Sequence, residues 1–335
     1  MNIRAKLFIV FVTTGLICFW AYKDGIFDKK NESKELKIIT VGVHSWPGGG
    51  ISYIADRMGY FKENGIELKI KKIENFDTKR ASLISGQIDI DVANTMDQLV
   101  IYAENNFPAQ VIGVTDESVG GDGIAGKQTI MSITDLKGKT IAYAEASPSD
   151  FFLRYLLSKN NISISDVKLK PVADPQIAGN AVIAGQVDAA VTYEPYLSQA
   201  SKAKGMKLIA STKEFPTLIP GLLIANGSKV EKDKELYSAF IRAWYKGADY
   251  YYSNKDASYK IIAEGMGMKE ADVKDILSVV DIQTKEKNKI LFDKSAKDNL
   301  FELVTSIAKF WKQSGFIKKD VESAKLLNPA LINEK

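Results

Sequence analysis

Side chains able to grip a small polar solute stand just after several apolar, strand-like runs of this chain. Ser45, Trp46, Pro47 and Gly48 follow the run Leu36–Val43, Thr95 follows Ile88–Ala93, and Asp116 follows Gln110–Val114. Ser147 and Ser149 come after Thr140–Tyr143, and Glu194 after Val187–Val191. Trp46 can wall a cleft or pack at an edge. Thr95 can donate its hydroxyl to a ligand, cap the helix that starts near Asp97, or do both. Ser147, Ser149 and the N–H groups of the helix beginning there form a natural anion site. Plain capping by Ser149 is the alternative. Glu194 precedes Pro195 and is not readily helical, and a carboxylate there suits a cationic or N–H donor group. Asp116, Glu117 and Asp122 form a second acidic cluster, in which Asp122 reads as tying a turn rather than touching a ligand.

The same inventory argues against catalysis. The chain holds one Cys and one His, Cys18 and His44. Neither a Cys/His zinc site nor a Ser/His/Asp triad fits that scarcity. His44 lacks a partner for chemistry and reads as a packing or hydrogen-bonding residue. No catalytic residue, metal or cofactor is assigned.

The 335 residues carry 45 Lys plus Arg against 41 Asp plus Glu, a formal charge of +4. Most of that excess sits in residues 1–30, where Arg4, Lys6, Lys23, Lys29 and Lys30 face only Asp24 and Asp28. The remaining body is close to neutral, so nothing draws it to a nucleic-acid backbone. Arg4 and Lys6 precede an uncharged run, Leu7–Tyr22, and a polar stretch, Asp28–Glu35. This pattern reads as an export leader and a tether. A cleaved signal, a lipid-modified Cys18 and an uncleaved anchor all place the body outside the cytoplasm, with the N-terminal segment associating it with the membrane.

Strand-like and helical patterns alternate from Leu36 onward, which predicts a mostly parallel sheet covered by helices. Helices are expected over Ile51–Asn64, Lys79–Ser85, Asp97–Asn105, Ser149–Lys159, Ile177–Ile183 and Ser198–Lys204, with a strongly helical tail after Asp233. One short pattern occurs twice. Gly86-Gln87-Ile88-Asp89 and Gly185-Gln186-Val187-Asp188 each join a helix to a strand. Each glycine suits a left-handed helix end. The echo predicts two lobes of similar build, with ligands bound beyond the carboxyl ends of strands.

Six blocks in order complete the picture: Val41–Gly48, Ala55–Phe61, Ser85–Asp89, Thr115–Ile124, Asp135–Lys139 and Ala189–Tyr196. Over Leu36–Ile224 the chain resembles the solute-binding proteins of ABC importers, in the branch that handles nitrate, taurine, aliphatic sulfonates and thiamine precursors. The resemblance implies an α/β fold of the type II periplasmic-binding-protein kind, with two lobes closing on a cleft by hinge bending. On that fold Glu194 faces the cleft. Lobe one would span 36–122 plus 221–335 and lobe two 123–220, with hinge residues Gly121, Asp122, Gly123, Pro220 and Gly221. The implied partners are a small-molecule solute and an ABC permease with its ATPase. A membrane-tethered ligand-sensing domain is the alternative reading. Pyrimidine-forming thiamine enzymes are similar too, but they carry a Cys-rich motif that this body lacks.

Overall fold

The structure, a computed structural model, describes residues 35–333 apart from 298. The leader, Cys18 included, lies outside the described residues. Eleven strands are present in that range: β1 Lys37–Val43, β2 Ile66–Lys72, β3 Ile90–Asn94, β4 Ala109–Ser118, β5 Asp122–Lys127, β6 Thr140–Ala144, β7 Lys168–Val172, β8 Ala189–Tyr193, β9 Met206–Ser211, β10 Pro220–Asn226 and β11 Val280–Ile282. They form two sheets, ordered β11-β4-β10-β3-β1-β2 and β7-β6-β8-β5-β9.

The sheets share one plan. β2-β1-β3-β10-β4 in the first matches β7-β6-β8-β5-β9 in the second. In each, the first three strands pair in parallel. The fourth runs antiparallel to both neighbours. That inserted strand comes directly after a passage from the other sheet: 119–121 leads from β4 to β5, and 212–219 leads from β9 to β10. The expected mostly parallel sheet is therefore two mixed sheets, because each receives a strand from the other sheet that runs against its neighbours, and β11 adds a second antiparallel strand at the edge of the first.

The repeated Gly-Gln-Ile/Val-Asp pattern does the same work in both sheets. Gly86 and Gly185 sit at φ +76° and +70°, ending their helices in the left-handed region where only glycine is at ease. The aspartates then pin the middle strand of each parallel trio, β1 in one sheet and β6 in the other. Asp89 accepts from the Thr40 N–H at 3.0 Å and from Lys229 at 2.9 Å. Asp188 accepts from the Thr140 N–H at 2.9 Å and from Lys127 at 2.6 Å. These bonds, that to Lys127 first, hold the Asp188 carboxyl below its ordinary range.

Other expectations move. The helix expected over Ile51–Asn64 is two pieces, Ile51–Arg57 and Tyr60–Glu63, broken at Gly59 with φ +77°. Asp116, expected after the run Gln110–Val114, lies inside β4, and the expected hinge residues Asp122, Gly123, Pro220 and Gly221 lie at the starts of strands. Glycine content read as loop there, but a Cβ on Gly123 would lie 2.6 Å from the Ala210 carbonyl of β9. The glycine is needed for strand contact. Each sheet builds its own apolar core, the first under Trp244, Trp311 and Phe240, the second under Phe152 and Leu156. Among the described residues no helix is long and apolar enough to cross a membrane.

Removing either pinning carboxylate orphans a strand N–H and a lysine. Asp89→Ala and Asp188→Ala should each lower unfolding free energy by about 1–2 kcal/mol, read from urea denaturation midpoints. Equal stability of both variants with the parent would remove the paired role.

Candidate functional site

The carboxyl ends of the strands of both sheets converge on one enclosed cavity. Its lining includes His44 and Trp46 after β1, Thr95 after β3, Asp116 in β4, Asp122 at the start of β5, and Tyr193 at the end of β8. Phe76, Ala93, Pro148, Ile219 and Gly221 complete it. The space left is about 20 Å³, room for roughly one water. Among the described residues, no Lys or Arg lines it.

Asp116 is the best-held group. It is 1% exposed. Trp46 donates its indole N–H to Oδ1 at 2.7 Å, and Thr115 donates its hydroxyl to Oδ2 at 2.5 Å. Backbone closes round it: a Cβ on Gly48 would stand 2.0 Å from Oδ2, and one on Gly221 2.4 Å. Gly121 makes room for Trp46, whose Cη2 would lie 2.5 Å from an added Cβ. Burial pushes the Asp116 carboxyl up to about 6. Asp122, also buried, is pushed up to about 7 by burial and by the nearby Asp116 and Asp97 charges. Asp97, just behind the wall, reaches about 6 for the same first reason, and Thr95 donates to it at 2.5 Å. Two carboxylates thus line the cavity, with Asp97 buried behind them, and among the described residues no Lys or Arg faces them from the lining.

Aromatic rings supply the remaining walls. Trp46 meets Tyr193 edge-on at 5.8 Å and 83°, across the two sheets. His44 lies between Phe76 at 5.4 Å and Tyr193 at 6.0 Å. Such a box offers an apolar body, π faces and buried negative charge, a combination that favours a cationic or N–H-rich ring.

Of the residues expected to bind ligand, Trp46, Thr95 and Asp116 line the cavity. Ser45 and Pro47 do not; Ser45 gives its N–H to Glu74 at 3.0 Å, and Pro47 opens a short 3₁₀ turn, Pro47–Gly50. Gly48 acts through Asp116. Ser147 caps the helix Pro148–Lys159, accepting from the Ser149 N–H at 3.2 Å and donating to the Ala144 carbonyl at 2.7 Å. Asp150 fills that helix N-terminus, accepting from the Ala146 N–H at 3.2 Å; the cap is Ser147 rather than the expected Ser149, whose hydroxyl is buried without a hydrogen-bond partner among the described residues. Glu194 turns away from the cavity. It accepts from the Ser198 N–H at 3.1 Å and hydroxyl at 2.8 Å and lines a separate groove of about 530 Å³ with Lys202, Asp272 and Asp275. β8 ends at Tyr193, and Glu194 lies in the turn that follows, where its carboxylate caps the start of the next helix through Ser198.

Of the expected hinge residues, Gly121 lies in the passage between sheets, Asp122 and Gly123 begin β5, and Pro220 and Gly221 begin β10. Asp122 and Gly221 face the cavity as well. His44, Tyr193 and Phe76 were not expected at the site. The position of His44 directly after β1 was the available signal.

Residues 47–258 match the family model described as NMT1/THI5 like. A putative binding protein of Brucella abortus is 24% identical over 230 residues, 68% of this chain and 70% of its own length. The formylaminopyrimidine-binding protein of Halalkalibacterium halodurans is 24% identical over 217 residues, 63% of this chain and 64% of its own. Among solved structures, the periplasmic aliphatic sulphonate binding protein SsuA of Escherichia coli superposes with a TM-score of 0.73 at 16% identity, covering 89% of this chain and 99% of that one.

The raised carboxyls fix a pH dependence. In the unfolded chain Asp ionises near about 3.9, whereas folded Asp116 and Asp122 hold their protons to about 6 and about 7. Between those values the folded state binds more protons, so stability falls as pH rises. The ligand-free protein should melt at a higher temperature at pH 5 than at pH 8, and Asp122→Asn should flatten the difference. Calorimetry showing the opposite slope between those pH values would remove the cavity carboxyls as its source.

Proposed function

Because this chain belongs to the NMT1/THI5-like family, we propose that it is the extracytoplasmic solute-binding component of an ABC importer, and that its solute carries positive charge or several N–H donors on a small, flat body. The observation that supports this reading is the pair of buried carboxylates, Asp116 and Asp122, facing an aromatic cavity with no Lys or Arg among the described residues of its lining. A buried carboxylate is costly unless paired, and a cationic or N–H-rich ligand supplies the missing partner. Nitrate or a sulfonate would instead bring a second negative charge to Asp116 and Asp122. An aminopyrimidine carrying an ammonium group fits both the charge and the rings.

Capture proceeds by hinge bending about the two passages, 119–121 and 212–219. There Thr212 gathers the joint, with its hydroxyl 2.7 Å from that of Ser118 and 2.9 Å from the Gly120 N–H. Trp46 of one sheet and Tyr193 of the other already meet around a space of about 20 Å³, so the hinge opens to part them and then closes the walls around the solute. The closed form is then handed to the permease and its ATPase. The cavity carries binding chemistry only: hydrogen-bond groups, charge and ring faces.

A thermal-shift series tests the ligand class, since a ligand of the folded state raises the melting temperature with concentration. 4-Amino-5-(aminomethyl)-2-methylpyrimidine should stabilise the protein, while nitrate and ethanesulfonate should not. Stabilisation by the two anions and not by the amine would overturn the reading. In titration calorimetry, Asp122→Asn should weaken the amine by about tenfold or more, as expected when one charge partner of a buried pair is removed.

A further inference from the structure

Beneath the cavity floor lies a buried charge pair that solute capture, as described so far, does not use. Lys79 and Asp91 are both fully buried, with Nζ 2.7 Å from Oδ1. Lys79 also donates to the Val92 carbonyl at 2.8 Å and stands 3.1 Å from His44 Nδ1. The other Asp91 oxygen accepts from the Tyr102 hydroxyl at 3.1 Å and from Asn94. A buried ion pair adds little net stability compared with apolar residues of the same volume. Its placement therefore asks for another explanation, and the third neighbour of the ammonium provides one.

An ammonium has three hydrogens and no lone pair. With Asp91, the Val92 carbonyl and His44 Nδ1 around it, the hydrogen directed at His44 requires Nδ1 to be the acceptor. A neutral imidazole then carries its proton on Nε2. Burial, and next the Lys79 charge, hold the ring well below its usual range, so it stays neutral. Among the described residues Nε2 has no hydrogen-bond partner, and the ring itself lines the cavity between Phe76 and Tyr193.

We propose that His44 is a specificity-determining residue, fixed by Lys79 as an Nε2–H donor, and that the solute presents a hydrogen-bond acceptor such as a ring nitrogen to it. Lys79 and Asp91 are positioning residues that act through His44. This inference rests on the solute-binding reading above and sharpens it: the carboxylates read donors at one part of the solute, and His44 reads an acceptor at another. A simple alkyl or benzyl ammonium satisfies only the first requirement.

Because His44 is the chain's single histidine, the long-range ¹⁵N–¹H spectrum of the labelled protein reports this ring alone. At neutral pH it should show a pyridine-type Nδ1 and a protonated Nε2. A ring protonated at Nδ1, or at both nitrogens, overturns the proposal. In Lys79→Met/Asp91→Asn, which leaves no lone buried charge, the ring should lose this fixed tautomer; an unchanged spectrum in the folded variant removes Lys79 as its cause. On the ligand side, 5-(aminomethyl)pyrimidine should bind the parent at least about tenfold more tightly than benzylamine, and His44→Phe should abolish that preference while His44→Gln retains part of it. Equal affinity of the two probes for the parent overturns the acceptor. Binding of neither probe overturns the ligand class proposed above, and the spectrum, which needs no ligand, still decides for or against the fixed tautomer.

Discussion

The fold closes around the burial of a single carboxylate. Asp116 sits inside the protein with no cation beside it, and leaving such a group unsupported costs several kcal/mol. Its neighbours are arranged accordingly. Trp46 and Thr115 donate to its two oxygens. Gly48 and Gly221 bring backbone up to it from the first loop and from β10. Gly121 clears the space that Trp46 occupies. The loop after β1, the passage into the second sheet and the strand that returns from it are thus fitted to one charge, and the cavity is the gap left on its open side.

Closure of the two sheets sets opposed terms against each other. Rings that meet across the gap favour it: Trp46 with Tyr193, and Phe151 with Trp311 at 6.1 Å. The carboxylates resist it, because Asp122, which enters with β5, is brought close to Asp116 and Asp97 away from water. On the proposed reading, a positively charged solute would remove that resistance. A ligand shifts a conformational equilibrium only by its differential affinity for the two states, and here that differential has a named source. On the proposed reading, the same electrostatics that would select the solute would also drive the hinge.

Much of this was legible from local pattern. Period-two and helical spacing located most elements, and the Gly-Gln-Ile/Val-Asp echo marked equivalent corners of both sheets because its glycine and aspartate have backbone roles that leave little choice of residue. Trp46, Thr95 and Asp116 could be placed at strand ends by counting. What could not be counted was orientation. Tyr193 ends β8 and Glu194 begins the turn after it, and nothing in their order says which of the two reaches the cavity. Asp122 was read as a turn residue because glycines flank it, yet those glycines serve close packing within a strand. His44 was discounted for lacking a catalytic partner, while its partner, Lys79, is a lysine 35 positions away that only the folded core brings near. Tertiary contact carries that information, and sequence spacing does not.

The glycines about Asp116 bear on how such a protein can diversify. No side chain larger than hydrogen fits at 48 or 221 while the acid remains, and a lost acid would leave a hole that those glycines cannot fill. One substitution at a time, this corner is locked: each residue is tolerated only in the company of the others. The facing wall is freer, since Thr95, Asp122 and His44 reach the cavity from separate elements. Lineages descending from such an ancestor should have changed their solute by altering that wall first, with the acid and its glycines inherited or replaced together.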